Sequence, residues 1–118
     1  MITKEQEREL WEWCGIKPRA DQNFQEHHGG WHYVYEYPDG HLIDILPPID
    51  LNNLFKYAVL KLHAWTMGSC PDGDVCAVAV IKVKGDYCRG ESCSEDPILA
   101  LFWAIWEVIT TSKSAPLP

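Results

Sequence analysis

The sequence has little positive charge. It contains 10 Lys and Arg residues against 17 Asp and Glu residues, which gives a formal net charge of −7. Proteins bind the phosphate backbone of nucleic acids largely through Lys and Arg, because these residues release condensed counterions. The charge balance therefore argues against a partner that is duplex DNA or RNA, and it also disfavours an anionic membrane surface. A partner with a basic surface is compatible with it.

The sequence also lacks an apolar segment long enough to act as a membrane span. The first nine residues contain no apolar signal core, and the apolar stretch 97–109 is far short of the roughly 20 residues that a span needs. We therefore expect a cytoplasmic protein with no membrane partner. The five cysteines are then expected to stay reduced, since five is an odd number for a disulfide framework and no C-x-x-C pair occurs.

Three stretches are typical of helices. Residues 3–14 begin with a Thr-Lys-Glu-Gln capping box and are followed by a glycine suited to a left-handed cap. Asp50 caps a second helix, 51–62, whose apolar residues recur at i, i+3, i+4 and i+7. Asp96 caps a third, 97–109, which is apolar on both faces and carries a single charge. The third helix is therefore predicted to be buried.

Between these helices lie two predicted hairpins that share the turn sequence Pro-Asp-Gly. In the first, at 38–40, a type I turn followed by a left-handed glycine would place Tyr35 opposite Ile43. In the second, at 71–73, the same rule places Met67 opposite Ala77. The strand after the second turn is apolar on both faces, which is typical of an interior strand.

The order helix, hairpin, helix, hairpin, helix predicts an α+β fold. We expect a mainly antiparallel sheet of about four strands with helices packed on it, as an α/β/α layered sandwich. Residues 1–110 are predicted to form a single domain, and residues 111–118 a frayed C-terminal tail. Residues 17–30 are interpreted as irregular, and residues 87–93 fit either a short edge strand or a loop.

Segments 3–15, 46–58 and 96–101 resemble the phage ABA sandwich domain family of small phage and prophage proteins. The most specific parts are the Pro-Pro-x-Asp-Leu-Asn-Asn-Leu entry to the second helix and the Asp-Pro-x-Leu-Ala-Leu entry to the third. The resemblance implies helix–sheet–helix layering and a phage or prophage origin, so the cytoplasm expected above would be that of an infected or lysogenic bacterial host. It implies no activity, because the family offers no catalytic motif. The sequence departs from the family pattern at 27–30 and 87–94.

An aromatic face of the first hairpin supplies candidate ligand-binding residues. Its side chains fit either the core or a platform on which a planar ligand stacks. The candidates for ligand binding are Trp31, Tyr33, Tyr35, His28 and Arg89, the last being the nearest cation that could serve a phosphate.

The function that we expect is that of a non-enzymatic, phage-type accessory binding protein. It would counteract a host defence by sequestering a small nucleotide-like signal in an aromatic-lined pocket. One alternative is an inhibitor that binds a host protein through an acidic and apolar surface. A second alternative is a small thiol- or metal-dependent enzyme. No catalytic residue and no cofactor is predicted, because the sequence contains no nucleophile–base signature and no glycine-rich phosphate loop.

Metal binding is weighed at two groups of residues. The histidines His27, His28 and His32 are close in sequence, but adjacent loop residues do not point together in a fixed way. The cysteines Cys70, Cys76, Cys88 and Cys93 are somewhat better candidates, since the first two share a face of the second hairpin as diagonal neighbours. Only the last two approach the usual ligand spacing, so buried or inert thiols without metal are expected.

One face of the C-terminal helix is a candidate homodimer interface. It combines two tryptophans with two alanines four residues apart, which would permit close approach of another backbone: Trp103, Trp106, Ala100 and Ala104. The alternative is that another element of the same chain, the N-terminal helix, covers this face.

Overall fold

The computed structural model describes residues 2–20, 33–43 and 46–114. The chain divides into two compact units, Met1–Pro48 and Ile49–Pro118. The predicted α+β class with antiparallel pairing is confirmed, but the described strands form two three-stranded sheets, one in each unit, in place of a single sheet of about four strands.

The first unit contains helix α1 and a small sheet. Helix α1, Lys4–Trp13, begins with the predicted capping box: the Gln6 amide donates to Thr3 Oγ1 at 3.1 Å, and the Thr3 amide donates to Gln6 Oε1 at 3.0 Å. The helix ends where Gly15 adopts a φ of +98° and the Ile16 amide donates to the Trp11 carbonyl at 2.9 Å. This is the left-handed cap that the sequence predicts.

The sheet of the first unit has the order β1-β2-β3, with β1 at Lys17–Ala20, β2 at Tyr33–Glu36 and β3 at Leu42–Ile43. The predicted pairing of Tyr35 with Ile43 is confirmed. Strand β1 corrects the sequence interpretation, which placed residues 17–20 in an irregular segment because of Pro18. A proline is tolerated here because β1 is an edge strand, where one side of the backbone needs no ladder partner.

The second unit begins with α2, a helical segment made of three different turns. These are an α-helical turn Leu51–Asn53, a π-helical turn Leu54–Ala58 and a 3-10 turn Val59–Lys61. Asp50 caps the segment as predicted, accepting a hydrogen bond from the Asn53 amide at 2.8 Å. Leu54 and Ala58, four residues apart, are buried as the apolar pattern predicts. Phe55 is 36% exposed although the pattern placed it in the core, and it lies in the π-helical turn, where the α-helical spacing is interrupted.

The second sheet has the order β4-β5-β6, with β4 at Ala64–Ser69, β5 at Val75–Val83 and β6 at Asp86–Ser94. The predicted pairing of Met67 with Ala77 is confirmed, and β5 is the central strand. Of the two alternatives for residues 87–93, the structure shows an edge strand.

Helix α3, Pro97–Ser114, packs on this second sheet. Its buried residues come from both sides of the helix, in agreement with the apolar sequence on both faces: Ala100, Leu101, Phe102, Ala104, Ile105, Val108 and Ile109. The helix continues through Ser114, so the frayed tail expected from residue 111 is wrong for residues 111–114. Residues 115–118 lie outside the described part of the chain. None of the described helices is long and apolar enough to cross a membrane.

Candidate functional site

Three cysteines lie together at one end of the second sheet. Cys70 directly follows β4, Cys76 is the second residue of β5, and Cys93 is next to last in β6. Cys76 and Cys93 are direct cross-strand partners with Cα atoms 4.1 Å apart. Cys70 is diagonal to Cys76 across the turn at 71–73, with a Cα separation of 6.4 Å, as the sequence predicts. By strand alternation, all three cysteines belong to the sheet face opposite α3.

The sulfur atoms of these cysteines form a group that we call the sulfur cluster. The Sγ atoms of Cys70, Cys76 and Cys93 all lie within 4.8 Å of one another, and Cys76 Sγ makes an S–S contact with each of the other two. A sulfur atom forms one disulfide at a time, so three cysteines contain at most one disulfide and one further sulfur. Cys70 and Cys76 are half-buried, whereas Cys93 is exposed. Solvent therefore reaches one side of the cluster.

Cys88 does not belong to the sulfur cluster, although the sequence interpretation grouped it with the other three. Cys88 and Cys93 are five residues apart on one strand, and an odd separation places side chains on opposite faces of a sheet. The signal that could have revealed the partner of Cys76 is the two-residue turn Lys84-Gly85, with φ values of +51° and +89°. This turn pairs Val83 with Asp86, and the same register places Cys76 opposite Cys93.

A second candidate site lies in the first unit. A cavity of about 220 Å³ is lined by Arg8 and Glu12 of α1, Pro18 of β1 and Tyr35 of β2. Arg8 and Glu12 are four residues apart, so they share one face of the helix. Tyr35 is half-buried, and the other three residues are exposed. We call this cavity the Tyr35 pocket.

The predicted ligand-binding residues are only partly brought together. Tyr35 lines the Tyr35 pocket, but its cation is Arg8, a residue that the sequence interpretation missed. Arg89 lies on β6 of the second unit, where its guanidinium is 3.3 Å from the Glu91 carboxylate. His28, Trp31 and the side chain of Tyr33 lie outside what the structure describes, and so do His27 and His32.

The face proposed as a homodimer interface is largely covered within the second unit. Ala100 and Ala104 are fully buried, and a Cβ placed on Gly90 of β6 would overlap the Ala104 carbonyl oxygen. Ala104 therefore lies where α3 packs against β6, and the full burial of both alanines corrects their assignment to an interface. Trp103 and Trp106 are half-buried, and both rings contact Phe102, at centroid distances of 5.0 and 6.3 Å.

Comparison of the chain with protein-family models, with curated proteins and with solved structures finds no match. The resemblance to the phage ABA sandwich family therefore stays a prediction from the sequence.

Proposed function

We propose that this chain is a non-enzymatic binding protein that holds a small planar ligand with an anionic group, such as a nucleotide, in the Tyr35 pocket. The observation that carries this proposal is that an aromatic, a cationic and an acidic residue line one cavity. A nucleotide offers a matching planar base, an anionic phosphate and N–H donors.

Each side chain of the pocket has a recognition role in this proposal. The Tyr35 ring offers a flat apolar surface on which a base can stack. The Arg8 guanidinium provides a planar fork of N–H donors, which suits bidentate binding of a phosphate. The Glu12 carboxylate is an acceptor-only group that suits the exocyclic N–H donors of a base. The edge-strand residue Pro18 supplies a rigid wall.

The size of the cavity limits the ligand. A volume of about 220 Å³ is below the range of roughly 300–1,000 Å³ that is usual for drug-sized ligands. It therefore favours a single nucleotide over a dinucleotide. The biological role expected from the sequence, sequestration of a nucleotide-like signal of a host defence, is part of the same proposal; the family resemblance itself implies no activity.

Isothermal titration calorimetry with nucleoside monophosphates tests the proposal. At least one of them should bind the purified protein with a 1:1 stoichiometry, and Arg8→Ala should weaken that binding by about tenfold or more. The matched control is Arg89→Ala, which removes an exposed arginine from the other unit and should leave the affinity unchanged. The proposal is wrong if no nucleotide binds, or if the two arginine variants behave alike.

A further inference from the structure

The feature of the second unit that needs an explanation is the third cysteine of the sulfur cluster. A disulfide joins two sulfurs, so pairing Cys76 with either neighbour leaves one sulfur beside the bond. The Cα separation of Cys70 and Cys76, 6.4 Å, lies within the usual range for a disulfide, whereas the 4.1 Å between Cys76 and Cys93 lies below it. A disulfide between the first two would thus give Cys93 no role.

One metal ion, in contrast, accommodates all three sulfurs. We propose that Cys70, Cys76 and Cys93 bind a single thiophilic d¹⁰ metal ion, either Zn²⁺ or Cu⁺, as three thiolate ligands. This site is independent of the Tyr35 pocket, since all its ligands belong to the second unit.

The spacing of the sulfurs suits such an ion. A Zn–S bond is about 2.3 Å long, so two thiolates on one zinc ion are about 3.8 Å apart in tetrahedral geometry. This separation lies inside the 4.8 Å within which all three Sγ atoms fall. In the reduced protein, rotation about the Cα–Cβ bonds can set this separation, while the pairing of β5 with β6 holds the Cα atoms of Cys76 and Cys93 in place.

The backbone holds all three ligand residues in place before any metal binds. Cys76 and Cys93 are paired residues of β5 and β6, and Cys70 is held by the turn at 71–73, where its amide donates to the Asp74 carbonyl at 2.7 Å. A site built on paired strands loses little conformational freedom on binding. Binding releases the thiol protons to the solvent, because the ligand is the thiolate.

The exposure of Cys93 sets the coordination that we expect. The cluster lies on the sheet face opposite α3 and is open on the side of Cys93, so a fourth position can be filled from solvent. Zn²⁺ would take three thiolates and one water or exogenous ligand, as in zinc sites that keep an open position. Cu⁺ is selected by soft thiolate ligands. Both ions would use the same three thiolate ligands, and only Zn²⁺ would need the fourth ligand from solvent.

Metal titration of the reduced full-length protein tests this inference. Zn²⁺ is added in competition with a chromophoric chelator, and Cu⁺ in competition with a Cu⁺-specific chelator, under anaerobic conditions. One of the ions should bind with a stoichiometry of one per chain and should raise the melting temperature. The ion that the protein takes from its chelator at one equivalent per chain is the metal of the site. If neither ion binds the reduced protein, the inference is wrong.

Single substitutions locate the ligands. Cys93→Ser should weaken metal binding by about a hundredfold or more, since loss of a mere outer-shell partner already costs about 10–100-fold. It is preferred over Cys76→Ser because Cys93 is exposed and its replacement is less disruptive to folding. Cys88→Ser is the matched control: it removes a cysteine from the opposite face of the same strand, and it should retain the metal.

A disulfide is the competing outcome, and intact mass distinguishes it. Protein purified with metal should carry three alkylatable thiols at these positions once the metal is chelated, without added reductant. A mass lower by two hydrogens, with Cys70 and Cys76 protected from alkylation, would overturn the metal site. The Cys93→Ser variant should still bind nucleotide if the Tyr35 pocket does, so the two proposals fail separately.

Discussion

The two Pro-Asp-Gly hairpins have the same turn but different surroundings. In each turn the glycine has a positive φ, +93° at Gly40 and +95° at Gly73. In each, the aspartate Oδ1 accepts a hydrogen bond at 3.1 Å from the amide two residues later, and the glycine amide donates to the residue before the proline. The Pro-Asp-Gly sequence therefore determines the turn conformation, since the same turn forms in both units.

The strands that the two turns connect differ in length and in their neighbours. Among the described residues, the first hairpin has strands of four and two residues and the second has strands of six and nine, and each hairpin pairs with a third strand, β1 or β6. Helix α3 packs on β5 and β6 of the second sheet. The residue directly before the turn is Cys70 in the second hairpin and Tyr37 in the first. The same turn thus sets the register of two hairpins whose surroundings differ.

The most disruptive test of this comparison is Gly90→Ala. A Cβ at this position would overlap the Ala104 carbonyl oxygen and lie 2.9 Å from the Val108 amide nitrogen, so α3 would have to move off β6. We expect a loss of about 3 kcal/mol in the free energy of unfolding, at the upper end for overpacking. Denaturant melts measure it.

The control for this prediction is Gly68→Ala, on β4 of the same sheet, where an added Cβ meets nothing within 4 Å. It should change the free energy of unfolding by no more than about 0.5 kcal/mol. Equal losses for the two glycine variants would mean that α3 does not approach β6 this closely.

A sharper test compares the turns themselves, with Gly40→Ala and Gly73→Ala. Each places a Cβ at a positive φ, which costs about 1–2 kcal/mol. Because the turns are locally equivalent, the two losses should agree to within about 0.5 kcal/mol, and asparagine at either position should recover part of the loss. A difference above about 1 kcal/mol would show that the surroundings contribute to the turn.

The smallest expected effect concerns the aspartates. The His41 backbone amide, and then the His41 side chain 2.6 Å away, lower the pKa of the Asp39 carboxyl from its ordinary value of 3.8. A depressed pKa stabilises the fold above the unfolded-state pKa, and this contribution is lost as the pH falls through the folded-state pKa. Carboxyl-detected NMR titration should find the lowered pKa.

In the His41→Ala variant, the pKa of Asp39 should rise towards 3.8 without reaching it, because the backbone amide still donates. An unchanged pKa would mean that the histidine side chain does not contribute. The second turn has Asp74 in place of His41, so it provides no equivalent of this side-chain contact.

The elements that the sequence predicted well are those with local causes. The capping box at Thr3, the Asp50 cap and both hairpin registers depend on residues within a few positions of one another. The placement of Pro18, which was predicted less well, depends on a partner farther along the chain, because Pro18 lies in a strand that pairs with β2. The exposure of Phe55, which lies in a π-helical turn, was also not predicted.

The candidate sites show the same division. Sequence reasoning placed Cys70 and Cys76 on one face, because a short turn relates them. It missed the pairing of Cys93 with Cys76 because 17 residues separate the two, and only the pairing of β5 with β6 brings them together. It also missed Arg8, since nothing in the spacing of α1 and β2 indicates that Arg8 and Tyr35 line one cavity.

The sequence by itself determined the turns, the caps and the burial of the C-terminal helix, because backbone dihedrals and apolar periodicity are local properties. The tertiary structure decided how the strands divide into two sheets and which cysteines meet. It also decided that Ala104 lies against Gly90, where α3 packs on β6. These outcomes depend on contacts between residues far apart in the chain, where the cost of closing a loop depends only weakly on its length and packing selects the partner.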